Sequence, residues 1–213
     1  MEIFRNICNN YCVNSYLLVA EDGTGVLIDP AFENEEELSV FQRIVDENDA
    51  TLVAIIATHT HADHVMGTKL VMDANPEAIL LMHKDAEPVY NTANDYSLIM
   101  GFKKREFPTP TRYVEDGEVL QFADIQLQVL HTPGHAPGSI CLFCDGEDPV
   151  VFVGDVLFND SIGRTDLPGG SYEVLRASIF DKLFTLNPDT LVLTGHGDCT
   201  TIGFEKENNQ YLK

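Results

Sequence analysis

Residues 58–64 read Thr58-His59-Thr60-His61-Ala62-Asp63-His64 and carry four metal-ligand side chains within six positions. The apolar run Leu52–Ala57 before them predicts a strand, and the stretch Val65–Val71 after them is suited to a helix. The four side chains would therefore lie at a strand-to-helix turn. Packing so many polar groups together without a ligand is costly. Because one tetrahedral ion would not use all four once other histidines contribute, the pattern predicts two adjacent metal ions.

Further ligand-type residues stand beside glycine just beyond apolar runs, at Gly134-His135, Gly154-Asp155 and Gly195-His196. Open α/β sheets place their sites at the carboxyl ends of strands, so these residues can converge on the residue 58–64 turn. A shared carboxylate such as Asp155 can bridge two cations and offset their repulsion. Within the segment 131–135, the residues alone do not decide whether His131 or His135 is the ligand.

Apolar strand candidates recur along the whole chain, and helical periodicity lies between them. Helices are predicted over about 34–48 and 171–185, with N-cap candidates at Asn34 and Ser171. The turn residues Glu21–Thr24 predict an antiparallel hairpin. These elements indicate a mixed α/β fold with two packed sheets and helices outside. No repeat or linker marks a boundary, which predicts one domain over residues 1–213. The strand candidates are Ser15–Ala20, Gly25–Asp29, Leu52–Thr58, Ala78–Met82, Glu118–His131, Ser139–Cys144, Val150–Gly154 and Thr190–Gly195.

The charge balance limits the partners. Thirteen Lys and Arg residues against 34 Asp and Glu give a net charge of −21, which repels phosphate backbones and argues against a nucleic-acid partner. No uncharged apolar run approaches the roughly 20 residues that cross a bilayer, so no membrane partner is expected. The first residues lack the pattern of a secretory signal, and an odd number of cysteines, five, favours a reducing compartment. We therefore expect a cytoplasmic protein whose cysteines, Cys141 and Cys144 with Cys8 and Cys12, are buried free thiols.

The set of His59, His61, Asp63 and His64, followed by His135, Asp155 and His196, resembles the metallo-β-lactamase superfamily. The resemblance implies a four-layer αβ/βα sandwich with a metal centre between the sheets. By the same resemblance, the first ion is held by His59, His61 and His135, and the second by Asp63, His64 and His196. Asp155 would bridge the two ions, and His131 would stand next to the ligands.

Within the superfamily the chain is similar to the glyoxalase II-like, or hydroxyacylglutathione hydrolase-like, compact bacterial hydrolases, without the C-terminal helical domain of glyoxalase II proper. Residues 161–170 resemble the substrate loop of that branch, where Arg164 would meet the carboxylate of an anionic substrate. The resemblance implies that hydroxide generated at a dinuclear centre attacks a thioester such as S-lactoylglutathione. Asp63 would also be catalytic, by orienting the hydroxide. The nitrogen and oxygen ligands admit Zn, Fe or Mn, with Zn expected first.

Several alternatives stay open. Persulfide dioxygenases share a Gly-Arg-Thr-Asp loop, here residues 163–166, and use one iron at the first site. Lactone or phosphodiester hydrolysis and a non-catalytic metal-binding role are further alternatives. Arg164 could also be a structural partner of Asp160 or Asp166. The sequence carries no information on the oligomeric state, and the expected partner is a small-molecule thioester or a related anion.

Overall fold

The first half of the chain forms a six-stranded mixed sheet. Its strands are β1 (Glu2–Cys8), β2 (Val13–Val19), β3 (Thr24–Ile28), β4 (Thr51–Ile56), β5 (Ile79–His83) and β6 (Arg112–Val114). In the computed structural model, which describes residues 1–213, they lie side by side in chain order. Strands β1 to β3 pair antiparallel, which confirms the predicted hairpin, whereas β3 to β6 pair parallel.

The second half forms a sheet of the same size with the order β14-β13-β10-β9-β8-β7. Its strands and a separate hairpin, β11 with β12, are β7 (Val119–Phe122), β8 (Ile125–His131), β9 (Ile140–Cys144), β10 (Val150–Gly154), β11 (Leu157–Phe158), β12 (Ser161–Ile162), β13 (Leu191–Thr194) and β14 (Thr200–Thr201). Only β10 and β13 pair parallel in this sheet. The run predicted as one strand over 118–131 is two antiparallel strands, because the chain turns at Ala123, whose φ of 51° lies in the left-handed region.

Helices cover the outer faces of both sheets. On the first sheet lie α1 (Glu35–Glu47), α2 (Ala62–Val65), α3 (Thr68–Ala74) and α4 (Glu87–Ile99), and on the second lie α5 (Tyr172–Asp181) and α6 (Ile202–Asn208). The side chains of Asn34 and Ser171 accept hydrogen bonds from backbone N–H groups at the starts of α1 and α5, as predicted. No helix is both long enough and apolar enough to span a bilayer.

The alternation of side chains along the strands separates three apolar cores. On β2, Leu17 packs toward α1, whereas Tyr16 and Leu18 face the second sheet. On β10, Phe152 faces the first sheet and Val151 packs toward α5. One core between the sheets and one beneath each helical layer define a four-layer αβ/βα sandwich, which confirms the predicted fold.

Several elements escaped the sequence analysis, among them β1 and α4. Strand β1 is an edge strand with several exposed positions, so it lacks an apolar run. Helix α4 buries only Tyr90, Ala93 and Ser97, and its polar composition gives little helical periodicity. Both elements matter for the site, because the loop after β1 and the end of α4 meet beside it.

Candidate metal centre

The predicted ligands come from the carboxyl ends of strands in both sheets. His59 and His61 follow β4 in extended chain, and Asp63 and His64 lie in α2 directly after them. From the second sheet, His135 stands in the loop between β8 and β9, and Asp155 and His196 follow β10 and β13. Because the parallel pairs β3–β4 and β10–β13 end at the same edge of the sandwich, the seven side chains meet there.

The three histidines predicted for the first ion face one another. The Nδ1 atom of His61 lies 2.9 Å from the Nε2 atom of His135. The Nε2 atom of His59 is buried and has no hydrogen-bond partner. Ligand atoms of all three residues lie within 4.8 Å of one another, a spacing that one cation could satisfy.

The residues predicted for the second ion form an adjacent group. The Nε2 atoms of His64 and His196 are 3.2 Å apart. An oxygen of Asp63 lies 3.6 Å from Nε2 of His196 and 4.0 Å from Nε2 of His64. The structure therefore brings this second set together as closely as the first.

The carboxylate of Asp155 lies between the two groups. Its Oδ2 atom is 3.6 Å from Nε2 of His135 and 3.6 Å from Nε2 of His196. Its Oδ1 atom is 3.3 Å from Nε2 of His64. Each oxygen thus faces imidazole nitrogens, and the position suits a carboxylate shared by two cations.

This donor set fits divalent cations. Imidazole nitrogens that face each other at hydrogen-bond distance, together with a buried nitrogen that has no partner, are costly without something to bind. Nitrogen and carboxylate oxygen donors are the usual ligands of Zn and of non-haem iron. The residues present therefore match the group that the family resemblance implies.

The protonation of the two sets differs. Burial and the neighbouring His135 lower the pKa of His61 to about 4, and burial and His64 hold the pKa of His59 well below its ordinary value. Burial also disfavours charge on His196, but hydrogen bonds to Asp155 and Asp63 outweigh it and raise the pKa to about 9. Burial likewise disfavours charge on His64, but Asp155 and Asp29 outweigh it and hold the pKa of His64 well above its ordinary value. At neutral pH the metal-free protein therefore presents neutral imidazoles at His59 and His61 and holds protons on His64 and His196.

Asp29 orients the ligand His64 and the residue 58–64 turn through hydrogen bonds, a role that the sequence analysis missed. This buried residue follows β3 with a left-handed φ of 52°. One carboxylate oxygen accepts the backbone N–H of Thr58 at 2.7 Å, and the other accepts the Thr58 hydroxyl at 2.7 Å. The second oxygen also lies 2.9 Å from Nδ1 of His64, which leaves Nε2 of His64 free to face the centre.

Main-chain carbonyls orient two further histidines. The Nδ1 atom of His135 donates to the carbonyl oxygen of Arg164 at 2.8 Å, and that of His196 donates to the carbonyl oxygen of Tyr11 at 2.8 Å. In both rings Nε2 is then the atom that faces Asp155. Backbone carbonyls leave no residue-type signal in a sequence, so only the fold reveals these contacts.

Two glycines allow the close approach of the ligands. A Cβ atom at Gly195 would collide with the carboxylate of Asp155 and would lie 2.8 Å from Cε1 of His64. A Cβ atom at Gly163 would collide with the carbonyl oxygen of Asp155 and would lie 3.1 Å from Cβ of His135. Glycine is therefore required at both positions for the ligands to pack as they do.

The prediction that His131 stands next to the ligands is wrong. Its ring stacks on His83, with ring centroids 4.0 Å apart and an interplanar angle of 11°, and its backbone N–H donates to Asp116. Atoms of His83, Asp85 and His131 also lie within 4.8 Å of one another. Parallel stacked rings, however, do not direct their nitrogens at one point, so the stack is a packing contact.

Arg164 lies at the edge of the centre with its side chain turned to solvent. Its guanidinium forms two hydrogen bonds of 2.7 Å with Asp166, and 60% of the side chain is exposed. This is one of the structural pairings that the sequence analysis left open, and a substrate carboxylate would compete with Asp166 for the guanidinium. A surface pocket of about 770 Å³ lies between α4 and residues 104–110 and contains none of the predicted ligands.

The cysteines lie apart from the predicted ligand set. All five are free; Cys8 and Cys141 are buried as predicted, and burial raises the pKa of each thiol to about 12. Cys144 is half-buried and Cys12 is exposed, so the prediction of burial is wrong for Cys12, which sits at a solvent-facing turn with a φ of 56°.

Comparison with known proteins supports the same interpretation. The family model described as metallo-beta-lactamase superfamily matches residues 11–196. The hydroxyacylglutathione hydrolase GloC of Haemophilus influenzae is 36% identical over 200 residues, which cover 93% of this chain and 92% of GloC. The chain therefore belongs to the metallo-β-lactamase superfamily.

Solved structures agree with this assignment. The crystal structure of the BLEG-1 B3 metallo-β-lactamase superposes with a TM-score of 0.87 at 30% identity and covers all of both chains. The structure of TTHA1623 in a di-iron-bound form gives a TM-score of 0.85 at 36% identity and covers 98% of this chain and 100% of TTHA1623. With this fold and its His and Asp clusters, the chain is a metallo-hydrolase of the superfamily that binds divalent metal.

Proposed function

We propose that the protein hydrolyses a thioester such as S-lactoylglutathione at a dinuclear metal centre. His59, His61 and His135 would hold the first ion, and Asp63, His64 and His196 would hold the second. The observation that carries the proposal is the position of Asp155, whose Oδ2 atom is 3.6 Å from an imidazole nitrogen of each group. A similar relative that is named a hydroxyacylglutathione hydrolase supports the choice of substrate class.

Two bound divalent cations would lower the pKa of a shared water from about 15.7 toward neutrality and polarise the substrate carbonyl. Asp63 contributes a carboxylate that stays ionised: burial would raise its pKa, but His196 and His64 outweigh burial and lower it. An ionised Asp63 can accept a hydrogen bond and so orient a water molecule toward the carbonyl carbon. Overall, water adds across the C–S bond and yields a carboxylic acid and a thiol, so no Ser or Cys nucleophile is needed.

The residues behind the ligands keep this arrangement rigid. Asp29 and the carbonyl oxygens of Tyr11 and Arg164 each accept from Nδ1 of a predicted ligand, at 2.8–2.9 Å. With Nδ1 protonated, the Nε2 lone pair of each ring points into the centre, as metal ligation requires.

Arg164 is the proposed contact for an anionic group of the substrate. Binding would require the guanidinium to exchange its pairing with Asp166 for a carboxylate of the substrate, which its fork geometry suits. Substitution Arg164→Ala should then raise KM for S-lactoylglutathione while kcat changes little. An unchanged KM would remove Arg164 from the substrate site and leave it a structural partner of Asp166.

The proposed reaction is tested by metal analysis of the purified protein together with a thioester assay. We expect about two equivalents of Zn, Fe or Mn and release of thiol from S-lactoylglutathione. Substitution His59→Ala should abolish turnover and weaken metal retention together. A metal-free His59→Ala protein with full activity would contradict the proposed mechanism.

A mononuclear iron persulfide dioxygenase is the second candidate, favoured by the segment Gly163-Arg164-Thr165-Asp166. The presence of a complete second set, with Nε2 of His64 only 3.2 Å from Nε2 of His196, favours the dinuclear hydrolase instead. Oxygen consumption with glutathione persulfide, without thioester hydrolysis, would decide for the dioxygenase. A β-lactam tested in the same panel checks the activity named for the BLEG-1 structure.

A further inference from the structure

Three consecutive cations, Lys103-Lys104-Arg105, follow the end of α4 in a chain whose net charge is −21. The ion pairs that lysine and arginine side chains form with carboxylates involve other residues, namely Lys69, Arg112, Arg164 and Lys182. Lys103 and Lys104 are exposed and form none. Two adjacent lysines without a carboxylate partner are therefore a local source of positive potential in an acidic protein.

The neighbouring arginine anchors this segment. The backbone N–H of Arg105 donates to the side-chain oxygen of Asn94 on α4 at 3.1 Å, and its guanidinium donates to the carbonyl oxygen of Glu33. The guanidinium is thus engaged with the protein itself, and the segment is attached on both sides. The two lysines before Arg105 remain free to bind a ligand.

Tyr11 connects the cationic segment to the candidate metal centre. The carbonyl oxygen of Tyr11 accepts a hydrogen bond from Nδ1 of His196. The hydroxyl group of Tyr11 donates a hydrogen bond to the carbonyl oxygen of Met100 at 3.1 Å. The ring of Tyr11 packs on Phe102, with ring centroids 5.3 Å apart. Lys103 follows Phe102 directly, so one residue links the second set of ligands to the cationic segment.

We infer that Lys103 and Lys104, together with the exposed ring of Tyr11, form a subsite for the anionic end of the thiol carrier in the substrate. The inference rests on the proposed thioester hydrolysis and adds the place where the leaving thiol portion binds. The carrier is a thiol that bears carboxylates or phosphates away from its sulfur. Tyr11 contacts its uncharged portion, and the two lysines bind its charged groups.

The overall charge of the protein gives a local cationic subsite a clear benefit for an anionic substrate. The net negative charge from 34 acidic and 13 basic residues repels anions on average and slows their encounter with the centre. Lys104 also lines the pocket of about 770 Å³ between α4 and residues 104–110, so a cavity adjoins the cationic segment. Glu87 and Glu106 line the same pocket and would repel an anion, so an anionic group would bind against Lys104.

The test compares Lys103→Gln/Lys104→Gln with the wild-type protein, both metal-loaded. The substrates are S-lactoylglutathione and the lactoyl thioester of N-acetylcysteamine, whose carrier is uncharged. We expect the double variant to lower kcat/KM about tenfold for the anionic thioester at low ionic strength, mainly through KM. High salt should reduce this difference, and kcat/KM for the uncharged thioester should stay unchanged.

The matched control is Lys69→Gln/Lys182→Gln, which changes the net charge equally at lysines already paired with Asp73 and Asp116. An equal loss in the control would show that only the overall charge matters and would overturn the subsite. An unchanged kcat/KM in Lys103→Gln/Lys104→Gln would overturn it too.

Binding of carriers that cannot be hydrolysed separates this inference from the proposed function. Calorimetry with S-methylglutathione, which carries carboxylates, and S-methyl-coenzyme A, which carries phosphates, reports the subsite without turnover. A loss of affinity of about fivefold or more in the double variant with one of them supports the subsite and identifies the anion. Equal affinities for wild type and variant with both compounds would overturn the subsite. Failure of both thioesters to react would refute the proposed hydrolysis alone.

Discussion

Asp29→Asn should weaken binding of the second metal ion while leaving the fold intact. In the native chain the side-chain oxygens of Asp29 accept from Thr58 and hold the proton of His64 on Nδ1, at 2.9 Å. Asparagine keeps one oxygen for the backbone N–H of Thr58 and places an NH₂ group where the second oxygen was. That NH₂ group donates to Nδ1 of His64, so the proton of the imidazole moves to Nε2. A protonated Nε2 cannot ligate a metal ion.

The expected magnitudes separate this effect from simple loss of structure. A misplaced orienting hydrogen bond typically weakens metal affinity by about 10–100-fold, which corresponds to roughly 1.4–2.8 kcal/mol. Since the asparagine amide still pairs with both partners and tolerates the left-handed backbone, the free energy of unfolding of the metal-free protein should change by less than about 1 kcal/mol. Asp29→Ala, in contrast, leaves three buried donors without acceptors and should cost about 3 kcal/mol or more.

Metal titration by calorimetry measures the affinities, and urea denaturation of the metal-free protein measures stability, because bound metal would itself stabilise the native state. Asp49→Asn is the matched control: it makes the same substitution at an exposed left-handed position, with a φ of 48°. If Asp29→Asn bound both ions with wild-type affinity, the assignment of the His64 proton to Nδ1 would be wrong.

Three further predictions follow from the same geometry. Asp155→Ala removes the carboxylate between the two sets, so metal content after dialysis and thioester turnover should fall together, the latter by at least about 100-fold; full activity without metal would refute this. Because the pKa of His61 is about 4 and that of His196 about 9, affinity for the first ion should be nearly constant between about pH 6 and 8. Affinity for the second ion should rise by about tenfold or more per pH unit over that range, because its binding displaces the protons held on His196 and His64, and identical pH profiles would contradict the difference. Gly163→Ala forces its loop away from Asp155 and should weaken metal binding, measured by titration, whereas Gly146→Ala, which has nothing within 4 Å, should not.

The convergence of the predicted ligands on one site was predictable because the segments that carry them follow apolar strands. The run before His59 and the runs before Asp155 and His196 all form strands, and the shared direction of neighbouring parallel strands brings their ends together. The two-sheet architecture was predictable for the same reason, since buried strands carry strong apolar patterns. The ligand assignments came from the family resemblance and remain predictions.

The supporting contacts were not predictable from residue types. Asp29 looks like any acidic residue after a strand, and only its left-handed backbone turns the carboxylate under Thr58 and His64. His131 has a ligand-type side chain, yet its position on β8 directs it to His83. Helix α4 was missed because few of its residues are buried, although its end carries the segment beside Tyr11.

Main-chain oxygens orient His135 and His196. The orientation of these two ligands therefore does not depend on the side chains that determine substrate preference. Replacing the side chain of Arg164 or Tyr11 changes the surface that a substrate contacts. The carbonyl oxygen that accepts the hydrogen bond from the imidazole is present whichever residue is encoded. Preference among substrates can therefore drift by single mutations while the reactive machinery is inherited unchanged. A scaffold organised in this way is well suited to acquiring new specificities.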